Sequence, residues 1–260
     1  MAQKTLSVKL SLNDKQFQSA LRKSTRSIQR FGNKMKNFGD TMSRNITLPV
    51  LGLGAAAVKL ASDFEETQSK FNTVFKDISD NAQAASKELS DSFGLSSRAS
   101  MQLLSDTGDL LTGFGFTQEE ALKLSTEVNQ LAVDLASFTN FSGGAEGASL
   151  ALTKALLGER ESIKSLGIAI TEADLKSFAA EQGLVFKELG RVEKATLTYQ
   201  LALQQSANAV GDFARTSDSF ANQLRQLKSD LEDVAVKIGV ELLPIAKSLV
   251  VGLNDLTKFT

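Results

Sequence analysis

The chain has 260 residues, 42% of them hydrophobic, and a formal net charge of −1 from 29 basic and 30 acidic side chains. This composition indicates a folded protein with one or two hydrophobic cores, and its balanced charge gives no overall signal for nucleic acid or a membrane surface. The sequence contains no His and no Cys, which excludes a disulfide framework, a Cys nucleophile and imidazole ligands or bases.

The first 45 residues predict one short strand followed by a heptad helix. Leu6, Val8, Leu10 and Leu12 alternate with polar residues, which favours a half-buried strand over a secretory signal. Asn13 and Asp14 then offer an N-cap, and apolar residues recur at the alternating spacings of 4 and 3 that are typical of a coiled coil, with one polar interruption. The positions of this N-terminal seam are Phe17, Leu21, Ser24, Ile28, Phe31, Met35, Phe38 and Met42.

The outer face of this predicted helix is basic. Lys and Arg greatly outnumber Asp14 and Asp40 between residues 14 and 44. A solvated face that keeps the helix soluble is the favoured interpretation, and contact with an acidic protein or with DNA is the alternative.

Residues 46–61 form an apolar, Gly- and Ala-rich segment that is shorter than the ~20 residues that a membrane-spanning helix needs. Pro49 suits the first turn of a helix, and the small residues from Gly52 to Ala57 let another backbone approach closely. Helix packing is the favoured interpretation, with membrane contact after a conformational change as the alternative. The residues assigned to this packing or membrane role are Leu48, Pro49, Val50, Leu51, Leu53 and Val58.

Residues 62–210 predict a helical middle module with glycine-containing turns, such as those at Gly94 and Gly183. Thr117 to Glu120 has the form of a capping box, and Thr171 offers a second N-cap. The first of these caps precedes an apolar face with helical spacing, made of Ala121, Leu124, Val128, Leu131, Leu135 and Phe138.

Residues 211–260 return to the heptad pattern. Pro244 lacks an amide donor and is expected to end or kink the helix. The C-terminal seam has spacings of 4, 3, 4, 3, 4 and consists of Phe220, Leu224, Leu227, Leu231, Val234 and Ile238.

No motif in the sequence predicts an active site, a metal site or a cofactor site. Gly113 to Gly115 and Gly143 to Gly144 lack the Lys-Ser/Thr of a phosphate loop and are interpreted as turns. The paired carboxylates, such as Glu119 with Glu120, are interpreted as solvated helix faces, and most of the 16 Phe residues as core. We therefore expect a protein that is not an enzyme and that binds no cofactor.

Three stretches of the sequence resemble the N-terminal and core region of tailed-bacteriophage tail tape measure proteins. Residues 42–75 read MSRNITLPVLGLGAAAVKLASDFEETQSKFNTVF, and residues 151–183 read ALTKALLGERESIKSLGIAITEADLKSFAAEQG. The third stretch, 191–249, includes GDFA at 211–214, SFAN at 219–222 and a Gly-then-Leu-Pro pattern at Gly239 and Pro244. The three matches occur in the family's order and cover most of the chain.

The resemblance implies a long, mostly helical protein that lies in the lumen of the tail tube of the virion, and in the host cytoplasm during assembly. Such a protein associates with itself, recruits tail tube subunits and tail assembly chaperones, and meets baseplate or tail-tip proteins. It sets the length of the tube by its own length and leaves ahead of the DNA during infection. Contact of its apolar segment with a membrane on ejection is a hypothesis.

The predicted fold is therefore all-α and elongated, with coiled-coil segments on either side of the helical middle module. A fully helical chain of this length spans ~390 Å at ~1.5 Å per residue, which is short for the family. We expect a head-end module of a longer product or a truncated prophage copy. The alternatives are a membrane-perturbing or muralytic effector module of a phage tail, or a generic helical scaffold.

Overall fold

The computed structural model describes residues 50–257, and within this range the chain is helical and contains no strand. The all-α class is therefore confirmed for these residues. The predicted strand at residues 6–12 and the N-terminal seam from Phe17 to Met42 lie outside the described residues.

The helices follow one another with short connections. Two single 3₁₀ turns, Lys76–Ile78 and Ser162–Leu166, lie between them. The α-helices are α1 (Val50–Val74), α2 (Ser79–Phe93), α3 (Ser97–Phe114), α4 (Gln118–Phe138), α5 (Gly144–Leu156), α6 (Glu172–Glu181), α7 (Arg191–Gln205), α8 (Asp212–Arg215) and α9 (Phe220–Thr257).

The chain divides into two compact units. The larger unit is Phe64–Asp233, and the other contains residues 50–63 and 234–257 of the described range. The larger unit begins close to the predicted middle module 62–210, but it continues beyond it through α8 and the first part of α9. We call 220–233 the proximal part of α9 and 234–257 its distal part.

Helix α4 is the centre of the larger unit and packs against α3 and α5. Its predicted apolar face is core from Ala121 to Leu135, and only Phe138, at the end of the helix, is 53% exposed. Since each fully buried Leu or Val side chain removes enough apolar surface from water to stabilise the fold by about 1.5–3 kcal/mol, this face makes a large contribution to the unit.

The predicted helix caps are present. The Thr117 hydroxyl accepts a hydrogen bond from the Glu120 amide (3.3 Å), and the Glu120 carboxylate accepts one from the Thr117 amide (2.9 Å). Thr171 and Asp174 form the same reciprocal pair, at 3.2 and 2.7 Å. Each pair satisfies two backbone groups that a helix N-terminus leaves open, and both predicted N-termini are therefore confirmed.

A smaller apolar cluster lies where the end of α1 meets α2 and α3. The rings of Phe71 and Phe75 are fully buried and pack edge to face, with centroids 5.3 Å apart. Gly108 on α3 leaves the space that the Phe75 ring occupies, because a Cβ at position 108 would overlap that ring. The prediction that most Phe residues belong to the core is therefore confirmed for Phe71 and Phe75.

Of the two outcomes predicted for Pro244, an end of the helix or a kink, the end does not occur: α9 continues through it to Thr257, and Ser248 on the next turn donates a hydrogen bond to the Pro244 carbonyl (2.8 Å). A single proline removes one amide donor and leaves the bonds on either side of it in place. Helix α5 begins at Gly144, so the Gly-Gly turn predicted at Gly143 and Gly144 leads directly into it.

Polar groups inside the core pair with one another. Asn129 on α4 is fully buried, and its amide donates to the Leu103 carbonyl on α3 (3.1 Å). Its side-chain oxygen accepts a hydrogen bond from the Ser149 hydroxyl on α5 (2.5 Å), which also lies 3.2 Å from the Thr107 hydroxyl. This network joins three helices, and because buried polar groups are costly when unpaired, it favours one relative placement of the three.

Candidate functional site

The C-terminal seam predicted from the sequence lies on the surface of α9. Phe220 is 70% exposed, and Leu224 and Leu231 are 43% and 42% exposed. The other seam residues, Leu227, Val234 and Ile238, are half-buried. We call these six residues the α9 stripe. The stripe is thus exposed at Phe220, Leu224 and Leu231, and exposed apolar residues at this spacing on one helix are a surface that a partner helix can cover.

In the proximal part of α9 the side that packs against the larger unit is polar. Asn222 is buried, and its amide donates to the Thr216 hydroxyl (2.8 Å) and to the Thr216 carbonyl (3.1 Å). Arg225 bonds to the Asn222 side-chain oxygen and donates to Asn140 (3.2 Å). The proximal part thus has its hydrogen-bonding residues turned inward and its large apolar residues turned outward, the reverse of an ordinary surface helix.

The end of the proximal part is attached to the start of α3. Asp233 accepts a hydrogen bond from the Ser97 amide (2.9 Å), and Glu232 pairs with Arg98. The Arg98 and Glu232 side chains are only 20% and 17% exposed, and Arg98 also donates to Gln102 (2.6 Å). A carboxylate at a helix N-terminus is favoured by the unpaired amides and by the helix dipole, so Asp233 acts as a tertiary cap for α3.

The turn that leads into α8, the short helix before α9, is held by α4. Asp134 is buried and accepts hydrogen bonds from the Gly211 amide (2.7 Å) and the Phe213 amide (3.0 Å). Gly211 has a positive φ of 75°, a backbone conformation that glycine adopts without strain. Sequence reasoning missed Asp134, because its partners are 77 and 79 residues away and it reads as one more polar residue on the helix.

In the distal part of α9 a close helix contact forms within the smaller unit. A Cβ at Gly239 would overlap the carbonyl oxygen of Ala57 on α1 and would lie 2.7 Å from the Ala61 Cβ. Val236 and Leu243, one turn before and after Gly239, are buried as well. Small residues thus let the two backbones meet, as the Gly- and Ala-rich composition of residues 46–61 predicts for this segment.

The stripe and the packed side lie on different faces of α9. Successive residues of an α-helix are rotated by about 100°, so Leu231 is about 140° from Val236 and Leu227 about 140° from Asn222. Asn222 and Val236 therefore do not share a side of α9 with the stripe.

The other predicted seam and much of the apolar segment cannot be placed on this surface. Phe17, Leu21, Ile28, Phe31, Met35 and Phe38 lie outside the described residues, as do Leu48 and Pro49. Val50, Leu51 and Leu53 fall in helix α1, where side chains are described from residue 56 onward, and Val58 is half-buried. Among the helices of residues 50–257, none is long and apolar enough to cross a bilayer.

The carboxylate pairs and the glycine motif that could be proposed as catalytic or phosphate-binding sites take part in hydrogen bonds and ion pairs within the fold. Glu120 belongs to the capping box, and Glu161 pairs with Lys164 at 2.7 Å. Gly115 is the left-handed C-cap of α3, and its amide donates to the Leu111 carbonyl (3.1 Å), so it ends a helix and forms no phosphate loop. No group of three or more Asp or Glu residues that could hold a metal ion occurs in the described part of the chain.

A cleft and a buried tyrosine are two further features of the larger unit. A cleft of about 370 Å³ lies between α2 and α4, lined by Asn81, Ala85, Glu119, Leu122 and Lys123 among others. Its lining combines charged residues of both signs with the apolar Ile78, Ala85 and Leu122, and this mixture gives no preference for a ligand class. Burial, with the nearby negative charge of Glu127, raises the pKa of Tyr199 to about 12, and its hydroxyl stays neutral at physiological pH.

Comparisons with known proteins identify no relative: no family model matches the sequence, and no curated protein or solved structure is significantly similar to it. The assignment of a function therefore depends on the residues and the geometry described above.

Proposed function

We propose that this chain is part of a tail tape measure protein, a non-catalytic helical protein that templates tail tube assembly, sets tail length and is ejected during infection. The observation that carries the proposal is the α9 stripe, an apolar heptad face with Phe220, Leu224 and Leu231 exposed on a helix whose other side is packed. The proposal connects this helical surface to tail assembly because the sequence resembles tail tape measure proteins at residues 42–75, 151–183 and 191–249.

A length-setting protein needs extended helices that join side by side, and the stripe has the spacing for this. Seams with alternating spacings of 3 and 4 wind helices into slender coiled coils. Helix α9 has 38 residues and spans ~57 Å at ~1.5 Å per residue. We propose that this helix and the N-terminal seam form the coiled-coil segments of an elongated protein on either side of the larger unit.

The proposed location is the lumen of the tail tube in the virion, with the host cytoplasm during assembly. The partners are further copies of the chain, the tail tube protein, tail assembly chaperones and baseplate or tail-tip proteins. The basic N-terminal segment is the candidate for a DNA contact, and the apolar segment of residues 46–61 for a membrane contact on ejection. No catalytic step is assigned to the chain.

The direct test is tail length. Four heptads with the pattern of the α9 stripe are inserted in register after Ile238 in the virus or prophage that encodes the chain. We expect tails longer by ~42 Å, since 28 helical residues rise by that amount. The control is an insertion of equal length in the exposed turn at Glu159, which lies between α5 and the following 3₁₀ turn and should leave tail length unchanged.

Electron micrographs of purified particles give the length distributions. Tails of unchanged length in the heptad insertion, with particles still assembled, would reject the ruler function.

A helical scaffold unrelated to phage tails is the second candidate. The same stripe supports this candidate, because a surface that binds other copies of the chain could also build a filament or lattice outside a phage tail. In that case deletion of the gene removes the assembly but leaves tails intact, whereas a tape measure protein is required for tails of defined length.

A further inference from the structure

We infer that the proximal part of α9 is a polar latch, which opens from the larger unit as one cooperative segment while the core around α4 stays folded. The latch consists of residues 220–233, and all of them belong to the larger unit. Its opening goes beyond the proposed function and needs no second copy of the chain. The chemistry of the surface that attaches the latch is the basis for it.

The latch is held without buried apolar side chains. All residues of 220–233 are described, and none of their apolar side chains is buried. The single buried residue of this segment is the polar Asn222, which is 1% exposed. Helix α4, in contrast, buries Leu and Val side chains from its first turn to its last. Since buried apolar surface supplies most of the free energy that holds a helix on a domain, the latch lacks the main stabilising contribution.

At its first end the latch is attached by polar side chains. The Asn222 amide donates to the Ser137 hydroxyl on α4 (3.3 Å), in addition to its two hydrogen bonds with Thr216. One turn later Gln226 lies against Gly94, the residue that ends α2, because a Cβ at position 94 would overlap the Gln226 Cγ. A close approach of the helix at this point therefore places a glutamine, and not a leucine, against the larger unit.

At its last end the latch is attached by charged side chains. Glu232 pairs with Arg98, and the Asp233 carboxylate accepts hydrogen bonds from the Ser97 amide (2.9 Å) and the Ser97 hydroxyl (3.3 Å). When two polar surfaces separate, water replaces the hydrogen bonds between them. Each neutral bond therefore changes the ratio of closed to open latch by only about two- to tenfold, and bonds to charged groups change it by more.

The two ends of the latch lie on one continuous helix. Asn222 and Asp233 are ~16 Å apart at ~1.5 Å per residue. Release of one end therefore weakens the contacts at the other, and we expect the segment to open as a unit. Opening requires much less free energy than unfolding of the α4 core, because it exposes little apolar surface.

The Ser97 amide is a native reporter of this opening. It belongs to the first residue of α3, where an amide has no partner within its own helix, and it donates to Asp233 instead. Its hydrogen exchange is followed by NMR in the unaltered chain, at a concentration where the chain is monomeric and at several urea concentrations below the unfolding transition. The amide of Val128, which is fully buried on α4, reports unfolding of the core.

We expect the protection of the Ser97 amide to be at least about 100-fold lower than that of Val128 and to depend much less on urea. The urea dependence of an opening reaction scales with the surface that it exposes, and the latch exposes little. Equal urea dependence at the two amides would overturn the latch, because Ser97 would then exchange only when the whole unit unfolds. Exchange of Ser97 at the rate of an unstructured peptide would overturn it as well, because the latch would not be closed.

A substitution at one end of the latch, read out at the other, tests whether it opens as one segment. Asn222→Ala removes hydrogen bonds at the first end and should raise exchange of the Ser97 amide at the last end about tenfold. Leu224→Ala is the control, because Leu224 is exposed on the same helix, and it should change this rate less than twofold. A Ser97 rate that Asn222→Ala leaves unchanged would show that each bond breaks independently, which overturns the latch.

A milder variant keeps this test valid if Asn222→Ala does not fold. Arg225→Ala removes the hydrogen bond that the exposed Arg225 donates to Asn140 (3.2 Å) and should raise exchange of the Ser97 amide about threefold. No change in that rate would contradict a cooperative latch in the same way.

Discussion

Helices α4 and α9 carry the same apolar repeat but have opposite surroundings. The residues from Ala121 to Leu135 on α4 form the centre of the larger unit, whereas Phe220, Leu224 and Leu231 on α9 are exposed. Both helices also bury an asparagine, Asn129 on α4 and Asn222 on α9. The repeat thus defines which residues share a face, and the rest of the chain decides whether that face becomes core or stays open to a partner.

The largest expected effect comes from the same truncation on the two helices. Leu131 is 3% exposed and Leu231 is 42% exposed. Leu131→Ala should lower the free energy of unfolding by about 2–5 kcal/mol, because it leaves a cavity in the core. Leu231→Ala should change it by about 0.5 kcal/mol or less at a concentration where the chain is monomeric. Urea unfolding followed by circular dichroism measures both, and equal losses would remove the distinction between the two helices.

The second prediction tests the polar network of α4. Asn129→Ala removes one hydrogen-bond partner from the Ser149 hydroxyl, which keeps Thr107, and one from the Leu103 carbonyl, and this should cost about 1–3 kcal/mol of unfolding free energy. The control is Asn81→Ala on α2, where the side chain is exposed and the change should be close to neutral. Thermal unfolding of both variants is the measurement. A neutral result at Asn129 would mean that the network does not stabilise the packing of the three helices.

The third prediction concerns the packed side of the distal part of α9. Gly239→Ala forces a methyl group against the Ala57 carbonyl and should cost about 1–3 kcal/mol locally. Gly113→Ala is the matched control, since Gly113 lies in helix α3 with nothing within 4 Å of a Cβ, and should stabilise by up to ~1 kcal/mol. Hydrogen exchange of the amides of residues 57–61 and 236–243 reports the local loss. Slower exchange in Gly239→Ala would argue against the close contact.

The smallest effect is expected for the polar attachment of the proximal part. Asp233→Ala removes the tertiary cap of α3 and should cost about 1 kcal/mol. Asp230→Ala, three residues earlier and exposed, should leave stability within about 0.5 kcal/mol. Hydrogen exchange at the Ser97 amide should rise in the first variant alone, whereas the Ala99 amide keeps its hydrogen bond to the Ser96 hydroxyl in both. Equal exchange in the two variants would show that the carboxylate of Asp233 does not cap α3.

Local features of this fold were predictable from the sequence, and long-range ones were not. Thr117 and Thr171 cap their helices through residues three positions away, so a short window of sequence contains the whole interaction. Asp134 and Asp233 satisfy amides that are 77 to 136 residues distant, and no local pattern indicates them. Gly239 reads as a helix-weakening residue, and only the approach of Ala57 shows why a side chain does not fit there.

The candidate site was predictable in its composition but not in its exposure. The spacing of Phe220, Leu224 and Leu231 identifies an apolar face, yet Leu124, Val128 and Leu135 have the same spacing and are core. What separates the two is the opposite side of each helix. Around Asn222 and Asp233 the chain of the larger unit offers matching polar partners, which hold α9 with its stripe outward.

The most direct test of the α9 stripe is sedimentation equilibrium of the chain over a wide range of concentrations. We predict reversible association of the unaltered chain, and a monomer of unchanged helix content for Leu224→Asp combined with Leu231→Asp, because buried charges oppose a helix seam. Val240→Asp, at an equally exposed position off the stripe, should associate like the unaltered chain. An unaltered chain that stays monomeric at high concentration, or association that the double substitution leaves intact, would contradict a self-associating stripe.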